Sequence, residues 1–301
     1  MSLAYQHEPN ENGGESKTSS DTNTSVTVPT LLLFTIAAWA KAECHNIHKE
    51  KTYNRNMSFA FGNMGGFGEE VAMLMYPEAL GSASKGGCAF DVITEWDDDF
   101  KTTKAKEVKT VCLNGTKECA NCKLKAPAFQ TKCLKCGNTN FKHKKDSRAG
   151  INAKSHHKYK SIIDEYLVNV SDCDEKTLKG TLTCFKIKSK NRFFNIYTRN
   201  QLEKGDKNTC NLCPYSYDFY ASGPIKVFEF EVDFNTSKID VNYYNPNNEA
   251  IENFPVSCLT KQEKKNYNVN DRTEIPYSEI APKLTVRKKS LGRNRGKIVR
   301  N

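Results

Sequence analysis

The sequence has no uninterrupted apolar run long enough to cross a bilayer. Its best candidate, PTLLLFTIAAWAKAE at residues 29–43, covers 15 residues, and a spanning helix needs about 20. A short basic start, as opens a secretory leader, is missing too: residues 1–27 hold Glu8, Glu11, Glu15 and Asp21 against Lys17. Ala40-Lys41-Ala42 has the form of a leader cleavage site, yet the run continues into CHNIHKEKTYNRN and reads as a core helix. These absences predict an intracellular chain, cytoplasmic or, in a eukaryotic host, nuclear, that is neither secreted nor membrane-bound. There is no G-x-x-x-x-G-K-[ST], so a P-loop ATPase or helicase is excluded. No internal repeat occurs, which excludes a solenoid. Acid is scarce in two places. Residues 101–160 hold 16 Lys/Arg against Glu107, Glu118 and Asp146, and residues 281–301 hold eight Lys/Arg and no acid. Clusters of this density point to a polyanion, here nucleic acid; the plainer alternative is a solvated lysine-rich face.

What is present suits one large domain or two small ones: 301 residues, 38% hydrophobic and 27% charged. Residues 1–27 are Gly/Ser/Thr/Asn-rich and predicted disordered. A domain over 28–267 follows, then a polar and finally basic tail over 268–301 that is flexible until bound. Helix is expected near 30–50. In FGNMGGFGEEVAMLMYPEAL a Gly-rich turn precedes a short helix with Val71, Leu74 and Met75 at helical spacing. Asp146 or Ser147 caps a further helix that leads into a strand near 165–170. TLTCFKIKS, RFFNIYT, IKVFEFEVDF and KIDVNYY read as strands. The fold class is α/β (α+β).

One hairpin carries chemistry. CAFDVITEW at 88–96 and KAKEVKTVC at 104–112 are two arms joined by DDDFKTT. If the turn centres near Asp99, opposed residues have numbers summing to about 198, which sets Asp91 across from Glu107. Directly opposed side chains have Cβ atoms about 4.5–5.5 Å apart, and Lys109, two residues on, shares the face. Opposed carboxylates destabilise a sheet unless something neutralises them. Mg²⁺, which prefers carboxylate oxygens, does so, and Lys109 is placed to stabilise hydroxide or developing phosphate charge.

D-x(15)-E-V-K, with the acid on one strand and E-x-K on the next, resembles the PD-(D/E)xK nuclease superfamily, to which many restriction endonucleases belong. The resemblance covers roughly residues 60–112. It implies a restriction-endonuclease-like mixed sheet flanked by helices, with Mg²⁺ held by Asp91, Glu107 and the Val108 carbonyl, and Lys109 assisting the attacking water. It also implies a glutamate from the preceding helix, Glu70, or Glu69 if the helix is rotated. The proline that usually precedes the first acid is absent; the pair is Phe90-Asp91. The function implied is a Mg²⁺-dependent endonuclease on double-stranded DNA, best matched to a type II restriction enzyme, with a homodimer left open.

Cys119-x2-Cys122 and Cys133-x2-Cys136 are separated by ten residues. Two such knuckles form a tetrahedral four-cysteine zinc site, a zinc ribbon inserted at about 112–141. Disulfides are the alternative, disfavoured inside a cell. Four thiolates leave no position for water, so this Zn²⁺ is structural. Lys123 and Lys125 on the insert, and Arg148 and Lys154 after it, are the candidate DNA contacts. Cys210 and Cys213 form a third knuckle that Cys173 and Cys184 could complete. His156 and His157 are read as solvent-facing imidazoles of an amphipathic helix, with a phosphate or active-site role as the alternative. Asn152 and His156 have the helical spacing of an HNH nuclease, but no upstream Asp-His pair precedes them. The competing class is a non-catalytic zinc-ribbon nucleic-acid-binding protein.

Overall fold

The computed structural model describes residues 28–53, 64–76, 78–82, 90–96, 103–113, 116–127, 132–133, 135–144, 148–174, 177–203, 209–251 and 253–287. The segment 1–27, most of the hairpin turn, Asp146 and Ser147, the side chains of Lys125 and Cys173, and the basic end after Arg287 lie outside the described residues.

In chain order, α1 (Thr30–Tyr53) and α2 (Met64–Met75) precede β1 (Gly81–Ser82), β2 (Val92–Glu95) and β3 (Lys104–Cys112). The insert supplies β4 (Thr116–Cys119), β5 (Lys125–Pro127) and β6 (Phe141–Lys144), a small sheet in the order β5-β4-β6. Next come β7 (Ala149–Asn152), α3 (Ala153–Tyr159), β8 (Ile163–Cys173), β9 (Lys179–Lys188) and α4 (Arg192–Glu203). After them lie β10 (Thr209–Leu212), α5 (Tyr217–Ala221), β11 (Ile225–Asp233) and β12 (Lys238–Tyr244). Last are β13 (Asn253–Pro255), α6 (Lys261–Tyr267), β14 (Glu274–Pro276) and α7 (Tyr277–Ile280).

Seven strands form a mixed sheet in the order β1-β2-β3-β8-β9-β11-β12. Within it β3 and β8 run parallel, and the other pairs are antiparallel. A parallel pair needs a crossover; the insert, β7 and α3 provide it. The fold is therefore mixed α/β. Alternation along the strands splits the core in two. Tyr166, Val168 and Val170 of β8 and Phe185 and Ile187 of β9 pack on one face, with Phe193 and Phe194 of α4 and Phe219 of α5. Leu167, Leu182, Cys184, Phe228 and Phe230 pack on the other, under α1 and α2 through Ile36, Trp39, Val71 and Met75. A fully buried Leu or Phe contributes roughly 1.5–3 kcal/mol. Among the described residues no helix is long and apolar enough to cross a membrane.

Five sequence expectations are corrected here. RFFNIYT is the start of α4, not a strand. Its buried positions, Phe193, Phe194, Tyr197 and Thr198, follow a helical period, and Asn191 accepts from the Phe194 N–H at 3.0 Å to open the helix. Adjacent Phe193 and Phe194 could not both face one side of a strand. The first hairpin arm is shorter than expected, since β2 begins at Val92 and Asp91 sits in a bend before it. The cap of α3 is Asn152, whose side chain accepts from Ser155 N–H. Gly65, Gly66 and Gly68 lie inside α2 rather than in a turn before it, and Gly62 lies outside the described residues. Residues 268–287 are folded: Val269, Ile275, Ile280 and Leu284 are buried. Arg287 stacks on Tyr217 at 3.5 Å from the ring centroid and pairs with Glu263, the capping-box residue of α6.

Candidate functional site

The observed hairpin pairs are Val92↔Lys106 and Ile93↔Ala105, summing to 198, while Glu95↔Lys104 next to the turn sums to 199 across a register shift between Ile93 and Glu95. Asp91 is the next position out and lies opposite Glu107, with its N–H bonded to the Lys106 carbonyl at 3.1 Å. Because β2 starts only at Val92, the Val108 N–H finds no strand partner there. It donates instead to Asp91 Oδ2 at 2.8 Å, which anchors that carboxylate.

The Lys109 side chain turns back into the same space. Its ammonium lies 2.5 Å from Glu107 Oε1, 3.0 Å from the Val108 carbonyl and 3.7 Å from Asp91 Oδ2. Three oxygens from three consecutive or opposed residues thus surround one cation, and the three side chains are 17–23% exposed. Glu107 Oε2 is buried without a hydrogen-bond partner. Burial pushes the Glu107 pKa up; Lys109 opposes the rise, while Asp91 and Glu69 add to it. The cluster sets two carboxylates and a carbonyl oxygen, the hard oxygen donors that divalent cations prefer, around the one Lys109 ammonium.

Glu69, not Glu70, is the helix residue that bears on Glu107. Gly68 determines this phase. A β-carbon on Gly68 would stand 2.2 Å from Thr110 Oγ1 and 2.9 Å from Asn169 Nδ2, so only glycine lets α2 lie this close to β3 and β8. With Gly68, Val71, Ala72 and Met75 turned inward, Glu70 is exposed on the far side.

Behind β3, on the opposite face, Lys106 is buried against Glu165 at 2.8 Å and Asp164 at 3.7 Å, with its ammonium 4.4 Å from the Tyr76 ring centroid. Lys186 reaches Glu165 at 4.0 Å and the Pro246 carbonyl at 2.9 Å. Lys106, Glu165 and Lys186 are paired within this network, while Asp164 Oδ1 is buried without a hydrogen-bond partner.

His156 does not face solvent, while His157 is only half-buried. His156 is fully buried between α3, β8 and α4. The Asn195 amide nitrogen donates to the Ser189 and Asn191 carbonyls, so its oxygen faces His156 Nε2 at 3.3 Å and fixes the proton there. Nδ1 then accepts from the Tyr166 hydroxyl at 3.0 Å. Burial lowers the His156 pKa to about 4, and the Asn195 bond only partly opposes this. His157 bonds Thr198 Oγ1 at 3.0 Å. Tyr166 is the β8 partner of Glu107, so this chain braces the strand beside the acidic cluster. The HNH reading, which needs an accessible His156, is excluded.

Cys119, Cys122, Cys133 and Cys136 are free thiols whose sulfurs all lie within 4.8 Å of one another. The Cys119–Cys136 and Cys122–Cys133 sulfurs are 3.5 and 3.4 Å apart, near the ~3.8 Å edge of a tetrahedron with metal–sulfur bonds of ~2.3 Å. Each knuckle closes the same way. Lys123 N–H donates to the Cys119 carbonyl and Gly137 N–H to the Cys133 carbonyl, with φ of 61° and 70°. The Asn138 N–H draws the Cys136 pKa down to about 6. This cluster can hold a metal such as zinc. A second site from Cys184 and Cys210 is ruled out, because the central sheet separates them: Cys184 packs in one core and Cys210 in the other. Among the proposed DNA contacts Arg148, Lys154 and Lys123 are exposed, and Lys123 Nζ also bonds the Ala120 carbonyl.

No family model, curated protein or solved structure matches the chain.

Proposed function

We propose that the chain is a Mg²⁺-dependent DNA endonuclease of the type II restriction class, with a restriction-endonuclease-like core and a structural zinc ribbon. One observation carries most of the weight: the Asp91, Glu107 and Val108 oxygens converge on a single cationic point, filled by the Lys109 ammonium. Asp91, Glu107 and the Val108 carbonyl would hold Mg²⁺, which when bound supplies Lewis-acid stabilisation of phosphate charge and acidifies the attacking water. The Lys109 ammonium beside them would donate to the water or to a phosphate oxygen. Glu69, whose charge acts on Glu107, would accept a hydrogen bond from that water. The basic surface of the insert and the Lys/Arg-rich end supply attraction to double-stranded DNA without reading sequence.

A second reading, a non-catalytic zinc-ribbon nucleic-acid-binding protein, is favoured by the four-cysteine cluster, which stands whatever the hairpin does. The two part on a single test. Plasmid DNA incubated with Mg²⁺ is nicked by the wild type and not by Glu107→Ala under the nuclease reading, and by neither under the binding reading.

A further inference from the structure

A cavity of about 390 Å³ opens on β9 and β11, lined by none of the residues discussed above as catalytic. Its position is tied to them by register. Lys109 pairs with Val168, Val168 with Phe185, and Phe185 with Lys226, one row across the sheet. Phe185 forms the back of the cavity and Lys226 its edge. Strands lie about 4.8 Å apart, so the cavity stands roughly 10–15 Å from the Lys109 backbone. That is about three or four steps of a DNA strand rising 3.4 Å each.

The walls are flat and aromatic. The Phe185 and Tyr215 ring centroids are 5.9 Å apart, and those of Tyr215 and Tyr220 6.4 Å. Tyr215 has φ of 61°, a conformation unfavourable for a bulky residue, so its ring is held there at the expense of stability. The polar groups are directional. Tyr243 Oη accepts from Asn248 Nδ2 at 3.1 Å, which leaves its own proton to donate. Asn253 and Glu274 stand on the outer face of the β13–β14 pair, above buried Phe254 and Ile275. A cation cage is the competing design, but the Lys226 ammonium already lies 5.8 Å from the Tyr243 ring and 2.9 Å from Glu229, and it repels a second cation.

We infer that this cavity binds a nucleobase bearing an exocyclic amine, either turned out of a DNA strand or as a free nucleotide. The base packs on one face of the aromatic wall, Glu274 accepts from its amine, and Asn253 and Tyr243 bond its remaining edge. This rests on the nucleic-acid half of the proposed function and not on hydrolysis.

The test uses full-length Glu107→Gln protein, in which cutting cannot confuse binding. Adenosine, cytidine and thymidine are titrated calorimetrically, and duplexes carrying single 2-aminopurines are followed by fluorescence. Binding of adenosine or cytidine at least about tenfold tighter than thymidine supports the site and identifies free nucleotide as a source. A position-dependent 2-aminopurine change in duplex DNA supports it and identifies an extruded base. Either signal must be lost in Asn253→Ala/Glu274→Gln, two exposed positions, and weakened in Tyr243→Phe, which keeps the ring. Equal binding of thymidine, signals that survive the double substitution, displacement by choline, or no signal in either arm overturns the inference. Cleavage of plasmid by wild type without these signals removes the base site alone; the signals without any cleavage remove the nuclease reading alone.

Discussion

Replacing Gly68 with alanine perturbs the close approach that sets the distance of α2, which carries Glu69, from β3 and β8. The new β-carbon meets Thr110 Oγ1 at 2.2 Å. Restoring an ordinary contact of about 3.5 Å requires the helix to retreat by roughly 1 Å. Overpacking of this kind costs about 1–3 kcal/mol, while alanine regains about 1 kcal/mol of helix propensity, for a net loss near 1 kcal/mol. The effect on activity is larger, because α2 carries Glu69, and a 1 Å misplacement can cost about 100-fold in rate. Thr110→Ala relieves the closer clash and leaves Asn169 Nδ2 at 2.9 Å. The Thr110 hydroxyl is buried and unpartnered, so removing it costs little, and the double variant Gly68→Ala/Thr110→Ala regains part of both losses. Urea denaturation and Mg²⁺-dependent plasmid cleavage are measured on all four proteins. Full activity and stability in Gly68→Ala, or no recovery in the double variant, would refute the reasoning.

Three further outcomes are expected. Metal analysis under reducing conditions finds about one zinc per chain, and Cys119→Ser loses it and destabilises the insert. His156 has a folded pKa of about 4 against an ordinary 6.5. Its contribution is therefore fully present above pH 6.5 and is lost as the pH falls through about 4; up to about 3 kcal/mol disappears in that window. Denaturation midpoints across that range fall steeply in wild type and less in His156→Gln. Deleting residues 288–301 removes six Lys/Arg, so DNA binding weakens for every sequence and the salt slope drops by up to about 5.

The hairpin and the cysteine cluster are legible in the sequence because both are local. The strand spacing brings Asp91 near Glu107 to within the one-residue shift between Ile93 and Glu95, and two knuckles announce themselves by spacing. The phase of α2 is not legible. Glu69 and Glu70 are equivalent in the sequence until Gly68 is seen against Thr110, more than forty residues away. RFFNIYT invites a strand reading because a short aromatic run fits both periods, although Phe193 beside Phe194 already argues against alternation. The fold of residues 268–287 is hidden by their charge, since Arg287 reads as part of a basic tail until Glu263 and Tyr217 come to meet it. His156 reads as a surface residue because its partners, Tyr166 and Asn195, lie on two later elements. The base-sized cavity joins Phe185, Tyr243 and Glu274 across nearly ninety residues, and no local pattern encodes it.

The assignment of Asp91, Glu107 and Lys109 to one hydrolytic centre is tested most directly by single-turnover cleavage of plasmid DNA with Mg²⁺, comparing wild type with Glu107→Ala and Lys109→Ala. DNA binding is measured in parallel without metal. The expected result is binding retained in both variants and cleavage lowered at least about 100-fold, the scale of losing one transition-state contact. Cleavage at the wild-type rate in either variant, or a wild type that binds DNA and never cuts it, would contradict the assignment and leave the three oxygens around Lys109 as an ion pair that only braces the hairpin.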